Sequence, residues 1–244
     1  MKNIPFYLLP FLTLIIQTPM LNAQVWFDIG MHGSASTSIW SDFKLYEDSK
    51  IDVSPKIGSN LALKLGINFN ETEALVIDVG YTNRNFQLHQ KDLQNGNNMV
   101  RNMNFGYSGF RILPLYRHTN EGTYFEIGPE FGWIQKSYYT DEANGSIPDN
   151  ALFKENNLRG AIGFGGYLLG NERISLITGI RILYDFKDLR SEKARQEVFP
   201  YQNYEDQRES YFKAIDIQFC LELNISLGFL VKSTCGRRKL LITW

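Results

Sequence analysis

The chain has three histidines, His32, His89 and His118, in 244 residues, and any Ser–His–acid or imidazole–metal chemistry must draw on one of them. An enzyme acting on lipid from within a barrel would set a histidine beside a serine and a carboxylate near its outer rim. His89 is the best placed of the three for that role, with Ser or Asp from a connecting segment, but no motif supports it. The sequence contains no Gly-x-Ser-x-Gly and no His-x-x-x-His pair. The run "GAIGFGGYLLG" (160–170) lacks the Gly-Lys-Ser/Thr of a phosphate loop and opens no helix, and "DEANGS" from Asp141 breaks the calcium-loop pattern at Ala143. The reading is therefore of a non-enzyme with no catalytic, metal-binding or cofactor-binding residues and no cofactor.

The residues that could act together are charges at alternate positions of otherwise apolar segments. Lys64, Arg84, Arg111, Lys136, Arg159 and Arg181 are set against Asp28, Asp78, Glu126, Glu130, Asp185, Asp216 and Glu222. Enclosed on one face, such groups must pair, because an unpaired buried charge is costly. Their chemistry is then a lumen charge network that holds an interior shut and rigid, with a gated ion path as the alternative.

The elements that would position these charges show a period of two. In "AIDIQFCLELNISLGF" (214–229) Ile215, Ile217, Phe219, Leu221, Leu223, Ile225, Leu227 and Phe229 form one face without a break, and Asp216, Gln218, Cys220, Glu222, Asn224 and Ser226 lie on the other. The pattern recurs over 25–34, 57–69, 74–86, 109–118, 124–136, 158–168 and 173–186. In "GFRILPLYRH", Arg111 and Arg117 oppose Phe110, Ile112 and Tyr116, although Leu113 and Leu115 blur the alternation. Glycines gather on the polar faces, where they leave room for long charged neighbours. The count is eight strands.

Short connections, "NETE", "TNEG" and "GNE", carry Asn and Gly where tight turns need them. They alternate with long polar segments, approximately 36–55, 89–102, 140–156 and 187–211. Outer-membrane barrels divide loop length between their two ends in this way, whereas a soluble lipocalin-like barrel of the same strand number has no reason to. Aromatics cluster near both strand ends: Trp26, Phe27, Phe69, Tyr116, Tyr124, Phe125 and Phe229 at one, and Tyr81, Trp133, Tyr139, Tyr184, Phe186 and Phe212 at the other. Two such girdles mark two bilayer interfaces. The expected fold is an all-β, eight-stranded antiparallel transmembrane up-and-down β-barrel whose apolar faces meet lipid and whose narrow lumen is filled by side chains.

Compartment and partners follow. Residues 1–23 read as a secretory signal peptide, with basic Lys2, an apolar run through Ile16 and Ala23 before the cut. The barrel spans 24–229, and 230–244 is a C-terminal periplasmic tail; the alternative ends the barrel at Trp244. Removal of the leader would deliver the protein to a bacterial outer membrane, with outer-membrane lipid as its partner. A formal net charge of −1 with no basic stripe argues against nucleic acid. Cys220 and Cys235 are too far apart along an extended segment to form a disulfide. In the last long connection Phe199, Tyr201 and Tyr204 could anchor a protein partner.

The segments "RILPLYR", "YFEIGPEFGWI", "LRGAIGFGGYLL" and "ITGIRILYDFKDL", in this order, resemble the small outer-membrane β-barrel proteins of the PorT-like group, similar in architecture to OmpX and OmpA barrels. The resemblance covers most of the chain after the leader, and it is one of strand pattern. It implies an integral outer-membrane barrel without a cofactor, and for one branch of the group a part in assembling a secretion machinery. The rival functions are such a component, a narrow porin-like channel and a lipid-modifying enzyme. The chain departs from the group's pattern at its end, where "LVKSTCGRRKLLITW" continues past Phe229.

Overall fold

The computed structural model describes residues 25–40, 51–92, 99–141, 145–148, 152–171, 173–196, 212–232 and 238–241. The leader, Phe199, Tyr201, Tyr204, Cys235 and Trp244 lie outside these residues. Among these described residues ten strands form: β1 (Val25–Trp40), β2 (Ile51–Asn68), β3 (Glu73–Asp92), β4 (Met99–Asn120), β5 (Thr123–Asp141), β6 (Gly145–Pro148), β7 (Asn156–Gly170), β8 (Ile174–Asp185), β9 (Ala214–Lys232) and β10 (Arg238–Leu241). A single helical turn, α1 (Glu192–Gln196), lies between β8 and β9.

The eight long strands, β1–β5 and β7–β9, pair antiparallel in chain order, and β9 closes on β1 from Val25↔Leu230 to Trp40↔Ala214. The fold is therefore an eight-stranded antiparallel β-barrel. Closure pairs the backbone all the way round the lower barrel and leaves no edge there. The two short strands are additions: β6 folds back on the top of β5, and β10 on the end of β9.

The short connections are built by side chains the sequence places there. Asn70 Oδ1 accepts from the backbone N–H groups of Thr72 (2.8 Å) and Glu73 (2.7 Å), and Asn171 Oδ1 from those of Arg173 and Ile174 (both 2.9 Å). Between β4 and β5 a two-residue turn places Glu121 (φ 47°) and Gly122 (φ 80°) in the left-handed region. Two consecutive positive φ values give a turn whose twist matches that of the flanking strands.

The long connections are shorter than the polar composition suggests, because the strands run on through it. At ~3.3 Å per residue, the 20 residues of β3 cover about 65 Å, roughly twice what a membrane-spanning strand of ~9–11 residues needs. The polarity of the two faces inverts along the way without any break in parity. Leu75, Ile77, Val79 and Tyr81 point out of β3 and are followed outward by Asn83, Asn85, Gln87 and His89. Asp78, Thr82 and Arg84 point in, and are followed by Phe86 and Leu88, both buried. The lower barrel is polar inside and apolar outside, as lipid demands. The upper wall has the reverse order, as water demands.

The walls also differ in height. β7 pairs with β5 only up to Asn156↔Trp133, and β8 and β9 stop at Asp185 and Ala214. β2–β5 continue above that level as a tall wall. Its inner face, Phe86, Leu88, Met103, Phe105 and Tyr107, is covered by Leu152, Phe153, Leu189, Ala194 and Phe212 from the connections. Backbone bonds from Lys154 N to Leu189 O (2.9 Å), Ser191 N to Leu152 O (3.0 Å) and Leu189 N to Phe212 O (2.9 Å) tie these segments together in the mouth.

Candidate functional site

The lumen below that apolar mouth is where the charged residues meet. Twelve ionised groups are buried there in two layers, each containing three cations and three carboxylates. In the lower layer Lys64 Nζ lies 2.5 Å from Glu222 Oε2, and Arg117 Nη2 bridges Glu222 (2.9 Å) and Glu126 (2.6 Å). Arg181 reaches Glu126 (2.7 Å) and Asp78 (3.1 Å). In the upper layer Arg111 pairs with Glu130 (3.0 Å), Arg159 bridges Glu130 and Asp216, and Arg84 bridges Asp216 (2.6 Å) and Asp185 (3.2 Å). No ion pair joins the two layers among the described residues. Each is neutral in itself, which is what removal from water demands of a group of charges.

Neutral donors and acceptors complete the layers. Tyr107 OH accepts from Arg84 Nη1 (2.6 Å) and from Asn157 Nδ2 (3.0 Å), Ser38 Oγ donates to Asp216 (2.6 Å), and the backbone N–H of Ala214 donates to Asp185 (3.2 Å). The Arg117 guanidinium also lies 4.1 Å from the ring centroid of Tyr124. Between the layers Gln218 sits on β9, above Glu222 and below Asp216. There Gln218, two nitrogens of Arg111, Ser36 Oγ, His32 Nε2 and Asp78 Oδ1 have no hydrogen-bond partner among the described residues.

The glycines of the polar faces make this crowding feasible. A Cβ at Gly163 would lie 2.6 Å from Glu126 Oε1, and one at Gly179 would collide with the phenol of Tyr124. On one side an apolar patch interrupts the polar lining. Leu113 and Leu115 point inward and pack with Ala74, Val76, Ala161 and Leu183. That explains why these two leucines blurred the alternation of β4.

Most charges read from the sequence are brought together, and two are not. Lys136 is exposed on the outside. Gly109 pairs with Ile134 and Ser108 with Lys136, so Gln135 is an unpaired extra residue, and this bulge reverses which face each later side chain takes. Asp28 is half-buried near the short turns, where it accepts from Asn68 Nδ2 (2.7 Å), and it belongs to neither layer. The network gains Arg117, which the strand pattern had set on the polar face, together with Tyr107. His32 joins through Nδ1 to Asp78 (2.8 Å); its place opposite Met31 and Ile29 was a usable signal.

Three aromatics assigned to the girdles also turn inward. Tyr124 cannot share a face with its neighbour Phe125, and it is buried over Arg117. Phe212 belongs to the mouth cluster, and Tyr139 is partly buried against it. The outward set is Tyr116 and Phe125 near the short turns and Tyr81, Trp133, Tyr184 and Phe186 near the other end, whereas Tyr167 pairs with buried Ile177 and lines the lower opening of the lumen beside Asp28. Between these levels large apolar side chains face outward, with Leu63 67% and Phe219 61% exposed. An apolar exterior around a charged interior is the architecture of an outer-membrane β-barrel.

Among the described residues the three histidines lie apart, each with a different partner. His89 meets Asn102, His118 is paired with Glu73 (2.8 Å) at the opposite end, and His32 is enclosed in the lower layer. Among the described residues no group of His, Cys, Asp and Glu could hold a metal ion. Cys220 is buried and forms no disulfide among the described residues.

No protein-family model and no curated protein matches the chain. Among solved structures it is similar to Neisserial surface protein A (10% identity, TM-score 0.43), covering 82% of this chain and 96% of that one. It is also similar to Ail, the attachment invasion locus protein of Yersinia pestis, solved with the heparin analogue sucrose octasulfate (12%, 0.38, 82% and 99%). A third likeness is to the outer membrane protein OprG from Pseudomonas aeruginosa (13%, 0.37, 84% and 97%). By its own strand order and the polarity of its two faces, the chain is a small β-barrel of the outer-membrane type.

Proposed function

We propose that this protein is an integral outer-membrane barrel of the PorT-like group. In this reading residues 1–23 are removed on export, 24–229 form the barrel and 230–244 a periplasmic tail. The lumen is plugged by its own side chains, and the protein serves a structural or interaction role through the connections at its tall end. The observation that carries the reading is the pair of neutral ion layers, stacked beneath an apolar mouth. A solute would have to separate bridged ion pairs twice and then displace packed aromatic rings. Breaking one partner from a buried pair costs ~3–5 kcal/mol, so spontaneous opening should be rare.

Planar-bilayer recording tests the plug. The refolded protein should give no steady current, and Arg111→Ala combined with Glu130→Ala should add leak by emptying one side of the upper layer. Salt-proportional conductance from the unmodified protein would refute the plugged lumen. An interaction role is tested by crosslinking in cells, where partners should map to the tall end.

A further inference from the structure

We propose that the lower end of the lumen is a binding site for a pyranose sugar ring. A cup lies there between the short turns and the lower ion layer, with a volume of about 320 Å³, at the small end of the ~300–1,000 Å³ typical of ligand pockets. That size limits the ligand to a single sugar or the end of a chain. The walls are the inward faces of β1, β7, β8 and β9, brought together by register: Asp28 pairs with Ser226, Ser175 with Asn224 and Gly170 with Ser175. The lower layer closes the cup, since Glu222 is the next inward residue of β9 above Asn224.

The cup holds polar capacity that the fold itself does not use. Asn224 is only 6% exposed, yet its Oδ1 has no hydrogen-bond partner among the described residues. An acceptor so enclosed calls for a donor from a ligand. Gly30 keeps the space beside it open, because a Cβ there would lie 2.5 Å from Asn224 Oδ1. Asp28 is oriented by Asn68 Nδ2 (2.7 Å) and by the hydroxyl of Ser226. Trp26 on β1 and Tyr167 on β7 flank these polar groups with aromatic surface, and Tyr167 is held by a hydrogen bond with Thr119.

A sugar ring matches this combination. Its hydroxyls both donate and accept, which suits Asn224, Asp28, Ser175 and Ser226, and its C–H faces cover aromatic rings. An anion would meet the carboxylate of Asp28. A simple cation would find Asp28 already in the field of Lys64 and Arg117. Around the opening the sequence carries both signs, Glu71, Glu73, Glu121 and Glu172 against Arg173, Lys232, Arg237, Arg238 and Lys239, so the balance favours neither ion. Short turns of membrane barrels face the periplasm. On the membrane-barrel reading above, on which this inference rests, the cup therefore opens toward the cell wall, where glycan ends and free oligosaccharides both present pyranose rings.

The test uses the full chain refolded in an amine-oxide detergent, which has no sugar headgroup to compete. Heat-resistant compact migration first reports the folded barrel, and saturation-transfer NMR then measures binding of diacetylchitobiose, maltose, choline and inorganic phosphate. At least one sugar should bind; a preference for diacetylchitobiose assigns a cell-wall glycan and one for maltose a free glucan, and either supports the site. Asn224→Leu and Trp26→Leu should each weaken binding by roughly tenfold, the scale of one lost hydrogen bond. Asp28→Asn, which preserves the shape of the cup, should weaken it too and keeps the test decisive if a Leu variant does not refold. Trp26→Phe, which keeps a ring, and Gln87→Leu at the opposite end should bind like the parent. A folded barrel that binds neither sugar, or Leu and Asn variants that all bind like the parent, would overturn the proposal. Choline or phosphate bound more tightly than both sugars would overturn the assignment of a neutral ligand. Absence of the heat-resistant form would instead overturn the membrane-barrel reading.

Discussion

Removing Asp216 should damage the barrel more than removing any single surface charge, and a second substitution in the same layer should undo part of that damage. Asp216 is fully buried and accepts from Ser38 Oγ, from Arg84 Nη2 (2.6 Å) and Nε (3.0 Å), and from Arg159 Nη1. Asp216→Leu leaves three guanidinium groups facing two carboxylates, Glu130 and Asp185, so the upper layer acquires a net positive charge away from water. Leaving one partner of a buried pair uncompensated costs ~3–5 kcal/mol. Adding Arg159→Met restores neutrality as two cations and two anions, with Arg84 still on Asp185 and Arg111 still on Glu130. The double variant should therefore be more stable than Asp216→Leu alone. Glu126→Gln, by contrast, lies in the lower layer, which no ion pair connects to the upper one. Its effect should add to that of Asp216→Leu to within ~0.5 kcal/mol, as for independent sites. Urea unfolding in lipid vesicles, followed by tryptophan fluorescence and heat-resistant migration, compares the parent with the two single and two double variants. A loss below ~1 kcal/mol for Asp216→Leu, which is what an exposed pair contributes, would show that the layer is solvated. Strong coupling between Asp216 and Glu126 would show that the two layers are one network.

Three further outcomes follow from the two faces and the mouth. Leu223→Arg should cost ~2–4 kcal/mol in vesicle unfolding, as a charge on the lipid face does, while Ser226→Arg, beside the half-open lower end, should be milder; equal losses would reverse the face assignment. Gly163→Leu should reduce the yield of heat-resistant barrel, since its Cβ would press on Glu126 Oε1 at 2.6 Å, and a normal yield would mean the lower layer has slack. Phe105→Ala removes a ring stacked 5.5 Å from Phe86 and packed against Phe212 and Phe153. It should cost ~3–5 kcal/mol and speed hydrogen exchange in residues 188–191, and unchanged exchange there would separate the connection from the mouth cluster.

The strands, their number and the split between short and long connections were legible in the sequence, because a side-chain period of two is a local property. Residues 214–229 announce both faces of β9 unaided, and Asn70, Asn171 and Gly122 announce the turns through chemistry confined to four or five residues. The pooling of charges on one face was legible for the same reason. What sequence could not supply is which charge meets which. Arg84 and Asp216 are 132 residues apart and Lys64 and Glu222 are 158 apart, and their pairing depends on barrel closure and the register of every intervening strand. The division into two neutral layers follows from that register alone. Lys136 was misplaced because one extra residue at Gln135 reverses a strand's faces and leaves no mark in composition. The height of the walls was hidden too, since strands that leave lipid for water invert their polarity and read as polar connections, until tertiary pairing shows that Phe86, Leu88, Met103 and Phe105 share an inner face with the connections folded over them.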